Sequence, residues 1–144
     1  MNNNILSHNR VILCHFDSYS TALLFARYGT SVLAPSPLPE GASAMSEVTA
    51  PGEQYEPAAA LNALTAQYGL DAAQLSLVDG FEEWMNSAEG PIRIHLARFT
   101  TFEAPRDAIE PSGGVFKPIS EMRGTAMVEL NLLRRAFNLI MGGA

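Results

Sequence analysis

The sequence predicts a mixed domain of the α/β (α+β) class, in which a sheet carries helices. Three observations predict it. Residues 11–16 (VILCHF) and 92–99 (IRIHLARF) have strand composition. Residues 57–68 carry helix start and stop signals at the two ends. Residues 126–141 repeat apolar side chains at helical spacing. A chain of 144 residues is long enough to fold as one domain around its own core.

Taken in order, residues 1–9 are polar and are expected to be frayed and disordered. Residues 11–16 place Val11, Leu13 and His15 on one face and Ile12, Cys14 and Phe16 on the other. Both faces are largely apolar, which suits a central strand covered on both sides. The run 17–20 punctuates the chain. Residues 21–28 (TALLFARY) fit either period, and a hairpin strand ending at Gly29 is preferred because Ser31-Val32-Leu33 follows at hairpin distance. Three prolines before residue 40 make 34–52 a long loop, expected to be a mobile surface linker.

Pro57 suits a first helical turn, and the Glu56 carboxylate before it favours the positive end of a helix dipole. Leu61, Leu64 and Tyr68 make one apolar stripe, Gly69 is a left-handed stop, and Leu70 packs back over it. Asp71 opens a short capped turn. Residues 75–78 and 81–85 are strand-like around Asp79-Gly80, and 81–85 pairs with 92–99 as a hairpin across the turn 86–90. In 92–99, Ile92, Ile94 and Leu96 share one face, while Arg93, His95, Ala97 and Phe99 share the other. Residues 100–114 read as irregular and 115–119 as a short strand. The last helix, 126–141, has Leu130, Leu133, Phe137 and Ile140 as its core stripe, with Glu129, Asn131, Arg134, Arg135 and Asn138 mostly outside it.

The formal net charge is −6, and no Lys/Arg-rich run occurs. Binding driven by a nucleic-acid backbone is therefore disfavoured. Cys14 is the lone cysteine, which excludes an internal disulfide and a cysteine metal cluster and leaves a buried inert thiol. With no signal pattern and no apolar run of span length, a soluble cytoplasmic protein without a membrane partner is expected.

Residues 51–70, PGEQYEPAAALNALTAQYGL, resemble the box of the Nudix hydrolase family. Gly52-Glu53 resembles the Gly-Glu that precedes the family's helix. Ala58 to Ala60 resembles its small-residue turn, Leu64 its aliphatic position, and Gly69-Leu70 its closing pair. Eight residues separate Glu53 from Asn62 where the family has seven, and Glu47 stands where the leading glycine would be. Val115-Phe116 through Glu121-Met122 resembles the family's late strand and turn before its last helix. The resemblance implies a Nudix-like α/β/α sandwich with a mixed sheet spanning residues 1–144. It also implies a cleft lined from 11–16 and 92–99 with Glu53 nearby, and a homodimer.

The positions matching the family's arginine and three glutamates are Asn62, Ala63, Ala66 and Gln67. They share one helix edge. In the family that edge carries carboxylates for divalent cations, which demand oxygen ligands and prefer charged ones. Two methyl groups and two neutral amides do not replace them. The expectation is a catalytically silent module without a cofactor, binding a small anionic or nucleotide-like ligand or a protein. The alternative is a divergent metal-dependent phosphohydrolase acting on a nucleoside diphosphate derivative. It would build an Mg or Mn site from Glu53, Glu56 and a loop or hairpin carboxylate.

The candidate ligand-binding residues are Glu53, His15, Arg93 and His95. Arg93 and His95 point the same way from their strand and suit an anion, whereas Arg98 points away. His15, His95 and Asp17 form a conceivable transition-metal set, against which stands the commoner structural role of a strand histidine. Trp84 and Phe99 could stack a planar group, but core packing is the simpler role for both. Of Glu82-Glu83, adjacent on a strand, at most one enters a cleft.

Overall fold

A computed structural model describes residues 3–17, 19–45 and 52–142. The chain runs α1 (Asn3–Ser7), β1 (Asn9–Asp17), β2 (Ala22–Tyr28), β3 (Ser43–Met45), α2 (Pro57–Tyr68), β4 (Leu75–Leu77), β5 (Glu83–Ser87), β6 (Gly90–Phe99), α3 (Arg106–Ile109), β7 (Gly114–Pro118) and α4 (Met127–Gly142). The strands form one open mixed sheet in the order β3-β5-β6-β1-β2-β7, with β4 also paired to β6. β1 lies parallel to β6 and antiparallel to β2. No helix among the described residues is long and apolar enough to cross a membrane.

β1 is buried from Asn9 to His15, as expected of a strand with two apolar faces. Its Ile12–Cys14 side joins Ile94, Leu96, Leu132 and Leu133 in a core under α4. Its Val11–Leu13 side joins Leu61, Leu64, Ala97, Phe99 and Ile109 in a second core under α1, α2 and α3. The helices thus lie on both faces of the sheet. The helix at 57–68 forms as expected: Glu56 caps it by accepting from the Ala59 N–H, and Gly69 ends it at φ 68°. The Leu70 N–H returns to the Thr65 carbonyl at 2.9 Å, closing the C-terminus by the usual glycine-assisted turn.

Five expectations are revised. Residues 3–9 are not frayed: Leu6 is buried in the core, and the side chains of Asn9 and Arg10 tie the turn down. Asn9 Nδ2 donates to the Ile5 and Gln54 carbonyls at 2.6 and 2.7 Å. The buried Arg10 guanidinium donates to the carbonyls of Leu6, Asn9 and Ser36. Ser31 to Leu33 do not form a hairpin strand. After a tight turn in which Tyr28 and Ser31 exchange hydrogen bonds, the chain turns inward, and Ala34 pairs with Val11.

Residues 34–52 contain the edge strand β3, while 46–51 lie outside the described residues. Residues 100–114 hold α3 and a 3₁₀ turn at Glu110–Ser112, anchored by the fully buried Ile109. The buried face of α4 comprises Glu129, Leu132, Leu133 and Ala136, with Leu130, Phe137 and Ile140 at its margin. Glu129 was expected outside. It turns inward because the inward-turning loop offers it the Ser31 hydroxyl and the Val32 N–H, each at 2.9 Å.

Candidate functional site

Two clefts open on the α2 side of the sheet, and each contains one of the two strand histidines. The pairing register explains their separation. β6 pairs with β5 up to Ile94 and with β4 from Ala97. Where the partner changes, the Asp79-Gly80 turn leaves a gap into which His95 looks. At the far end, β1 runs out at Asp17 and the segment 102–108 arches over it, leaving a wider opening.

The wider cleft has a volume of about 1030 Å³ and is lined by His15, Asp17, Tyr19, Phe102, Glu103, Arg106 and Asp107 among others. His15 is almost fully buried in its wall, with Nε2 2.8 Å from the Thr101 carbonyl oxygen. A carbonyl only accepts, so Nε2 carries a proton. That Nδ1 is buried without a hydrogen-bond partner. Asp17 Oδ1 accepts the N–H groups of Tyr19 and Ser20 at 2.8 and 3.3 Å. These bonds hold the carboxyl below its usual range. Tyr19 and Phe102 are 82% and 73% exposed. Their rings meet edge to face, 5.6 Å apart at 75°. Three carboxylates (Asp17, Glu103, Asp107) face one guanidinium (Arg106) across this opening.

The smaller cleft, about 320 Å³, lies at the N-terminal end of α2 and is lined by Glu56, Asp79, Glu82, Arg93 and His95 among others. His95 Nε2 lies 2.7 Å from Asn9 Oδ1. Both donors of the Asn9 amide nitrogen are committed to carbonyls, so its oxygen is the acceptor and His95 Nε2 the donor. Burial, and secondarily the charge of Arg93, push the His95 pKa down to about 3. His95 is therefore a neutral imidazole in the wall of the cleft, donating from Nε2. Arg93 donates to the Tyr55 carbonyl at 3.2 Å and lies 5.4 Å over the Trp84 ring, while its Nε is buried without a partner.

The expected single pocket is thus divided. Val11 stands opposite His95 and His15 opposite Phe99. The two histidines are four residues apart along the sheet, about 13 Å at the rise of a strand. One ion does not bridge them. Glu53 is exposed in a 3₁₀ turn (Glu53–Tyr55) and lines neither cleft. Asn62, Ala66 and Gln67 are exposed, Ala63 packs against the core, and none of the four borders either opening. Arg98 is exposed over Phe16, on the opposite face from Arg93 as the alternation requires.

Trp84 and Phe99 are core residues. Glu82 faces the smaller cleft, and Glu83 turns the other way to Arg135 at 3.0 Å. Tyr19 and Phe102 went unread as site residues, although their signal was present: each is a large aromatic ring within a polar, turn-forming segment. Among the described residues, no group of three or more His, Cys, Asp or Glu is placed to hold a metal ion. A scan against protein-family models gives no match, and a search of curated proteins also finds none.

Proposed function

We propose that this chain is a catalytically silent protein of Nudix-like fold that binds a small molecule in the cleft at the end of β1. The observation that carries the reading is the cleft itself. It sets a buried, half-satisfied histidine and two exposed aromatic rings around an opening of ligand size, at the end of a central strand. The capped helix at Pro57–Tyr68 and the helices on both faces of the sheet support the Nudix-like part of the proposal. The silent part rests on the chemistry of Asn62, Ala63, Ala66 and Gln67, whose amides and methyl groups are poor substitutes for anionic oxygen ligands. A homodimer belongs to the same proposal and is checked by sedimentation.

A second reading has its own observation. Glu56, Asp79 and Glu82 all line the smaller cleft. These three do not form a ready-made cation site, so on this reading the substrate's phosphates would bring the divalent cation with them and complete its oxygen ligands, supporting a phosphohydrolase acting on nucleoside diphosphate derivatives. One experiment separates the two readings: incubation with Mg²⁺ or Mn²⁺ and a panel of such derivatives, using the native chain, Glu53→Gln and Glu56→Gln. No turnover is expected. Turnover that Glu56→Gln or Glu53→Gln abolishes would replace the silent module by the hydrolase.

A further inference from the structure

We propose that the cleft at the end of β1 selects a small organic cation, an alkylated ammonium group held against the rings of Tyr19 and Phe102 and beside the carboxylates of Asp17, Glu103 and Asp107. This deepens the binding reading above and rests on it.

Three independent features converge. The first is the ring pair. Tyr19 and Phe102 are among the most exposed large apolar side chains described, and they touch each other at 75° to make a two-walled corner at the mouth of an open cleft. Exposed ring faces attract cations through their quadrupole, and alkylated ammonium ions gain most because their weak hydration is easily shed. Elsewhere this chain places cations over its rings, Arg93 over Trp84 and Arg98 over Phe16. No such partner is described for Tyr19 or Phe102.

The second feature is charge. The carboxylates of the lining outnumber its one guanidinium three to one. A concave, acidic opening on a chain of net charge −6 raises the local concentration of cations and repels phosphate. Asp17 Oδ1 accepts from two backbone N–H groups, and the Ser20 side chain adds a hydrogen bond to the same carboxylate, which together hold the negative charge in place at the opening. The third feature is His15, buried in the wall with Nδ1 unpartnered. A buried polar atom without a partner is one that a bound polar group or an ordered water would satisfy.

The test is an amide-resolved NMR titration of the intact chain with three probes. They are choline, its neutral carbon isostere with a tert-butyl group in place of trimethylammonium, and inorganic phosphate. Choline is expected to shift amides of residues 19–24 and 102–108, with the isostere binding about tenfold weaker. Phe102→Leu and Tyr19→Leu, both at exposed positions that spare the fold, are expected to weaken choline by roughly three- to tenfold each. Equal binding of choline and the isostere would overturn the cation inference, because the opening would then be merely apolar. Phosphate shifting the same amides while choline does not would also overturn it, yet keep the binding module. No shift from any probe would remove both. Turnover in the nucleoside diphosphate assay bears on the silent reading alone.

Discussion

The amide of Asn9 decides the state of His95. With both of its N–H groups on carbonyls, its oxygen can only accept, so the imidazole donates from Nε2, while burial and the nearby Arg93 charge keep the ring neutral. The sign of the pH dependence follows. An unfolded chain protonates this histidine below about 6.5, whereas the folded one holds it neutral down to about 3. Between those values the unfolded state binds the extra proton. Stability is therefore complete above 6.5 and falls with acidification, by at most about 1.4 kcal/mol per pH unit. Urea unfolding midpoints from pH 7 to pH 4.5 should show this slope. His95→Gln, which retains a donor for Asn9, should flatten it.

Glu129 is the second decisive residue. Its carboxylate accepts from Ser31 Oγ and the Val32 N–H while 4% exposed. Glu129→Ala would leave a buried N–H and hydroxyl without acceptors, at a cost of about 2–4 kcal/mol. Glu129→Gln, with one acceptor oxygen remaining, should lose less. Chemical denaturation of both variants measures the difference, and equal losses would mean that the helix contact matters only as packing.

At the scale of elements, α3 and β7 meet at a glycine. A Cβ on Gly114 would come within 2.7 Å of the Tyr28 ring and 3.0 Å of Ile109. Ile109 is fully buried, so it has little room to yield. Gly114→Ala is expected to destabilise by about 1–3 kcal/mol through overpacking, readable as a lowered thermal midpoint. The hairpin of β5 and β6, the capped α2 and the alternation along β1 were all legible in the chain, because each follows from spacing within a few neighbouring residues. α3 was not. Four residues with a single buried isoleucine have too short a period to register, and Ile109 acquires its role only from the sheet beneath it. The face of α4 was read about one position off, because apolar periodicity cannot know that a polar loop will be waiting for Glu129.

At the scale of the molecule, the sheet sets β1 between a parallel and an antiparallel neighbour. That placement carries His15 and His95 to different openings. The predicted outcome for function is an inert protein in the Mg²⁺ or Mn²⁺ assay, with a cation-selective cleft at one end of the sheet.

The sequence by itself determined the mixed class, the ends of α2, the two-faced central strand and the absence of acids at positions 62, 63, 66 and 67 of the helix edge. Those are local properties: a capping residue, a period or a missing carboxylate is present in the chain before it folds. Only the tertiary structure decided which residues share a cavity. Strand register and the return path of the loops bring Tyr19 to Phe102 across more than eighty residues and leave Glu53 outside both clefts. No spacing along a chain encodes a distance that depends on how many strands lie between two positions.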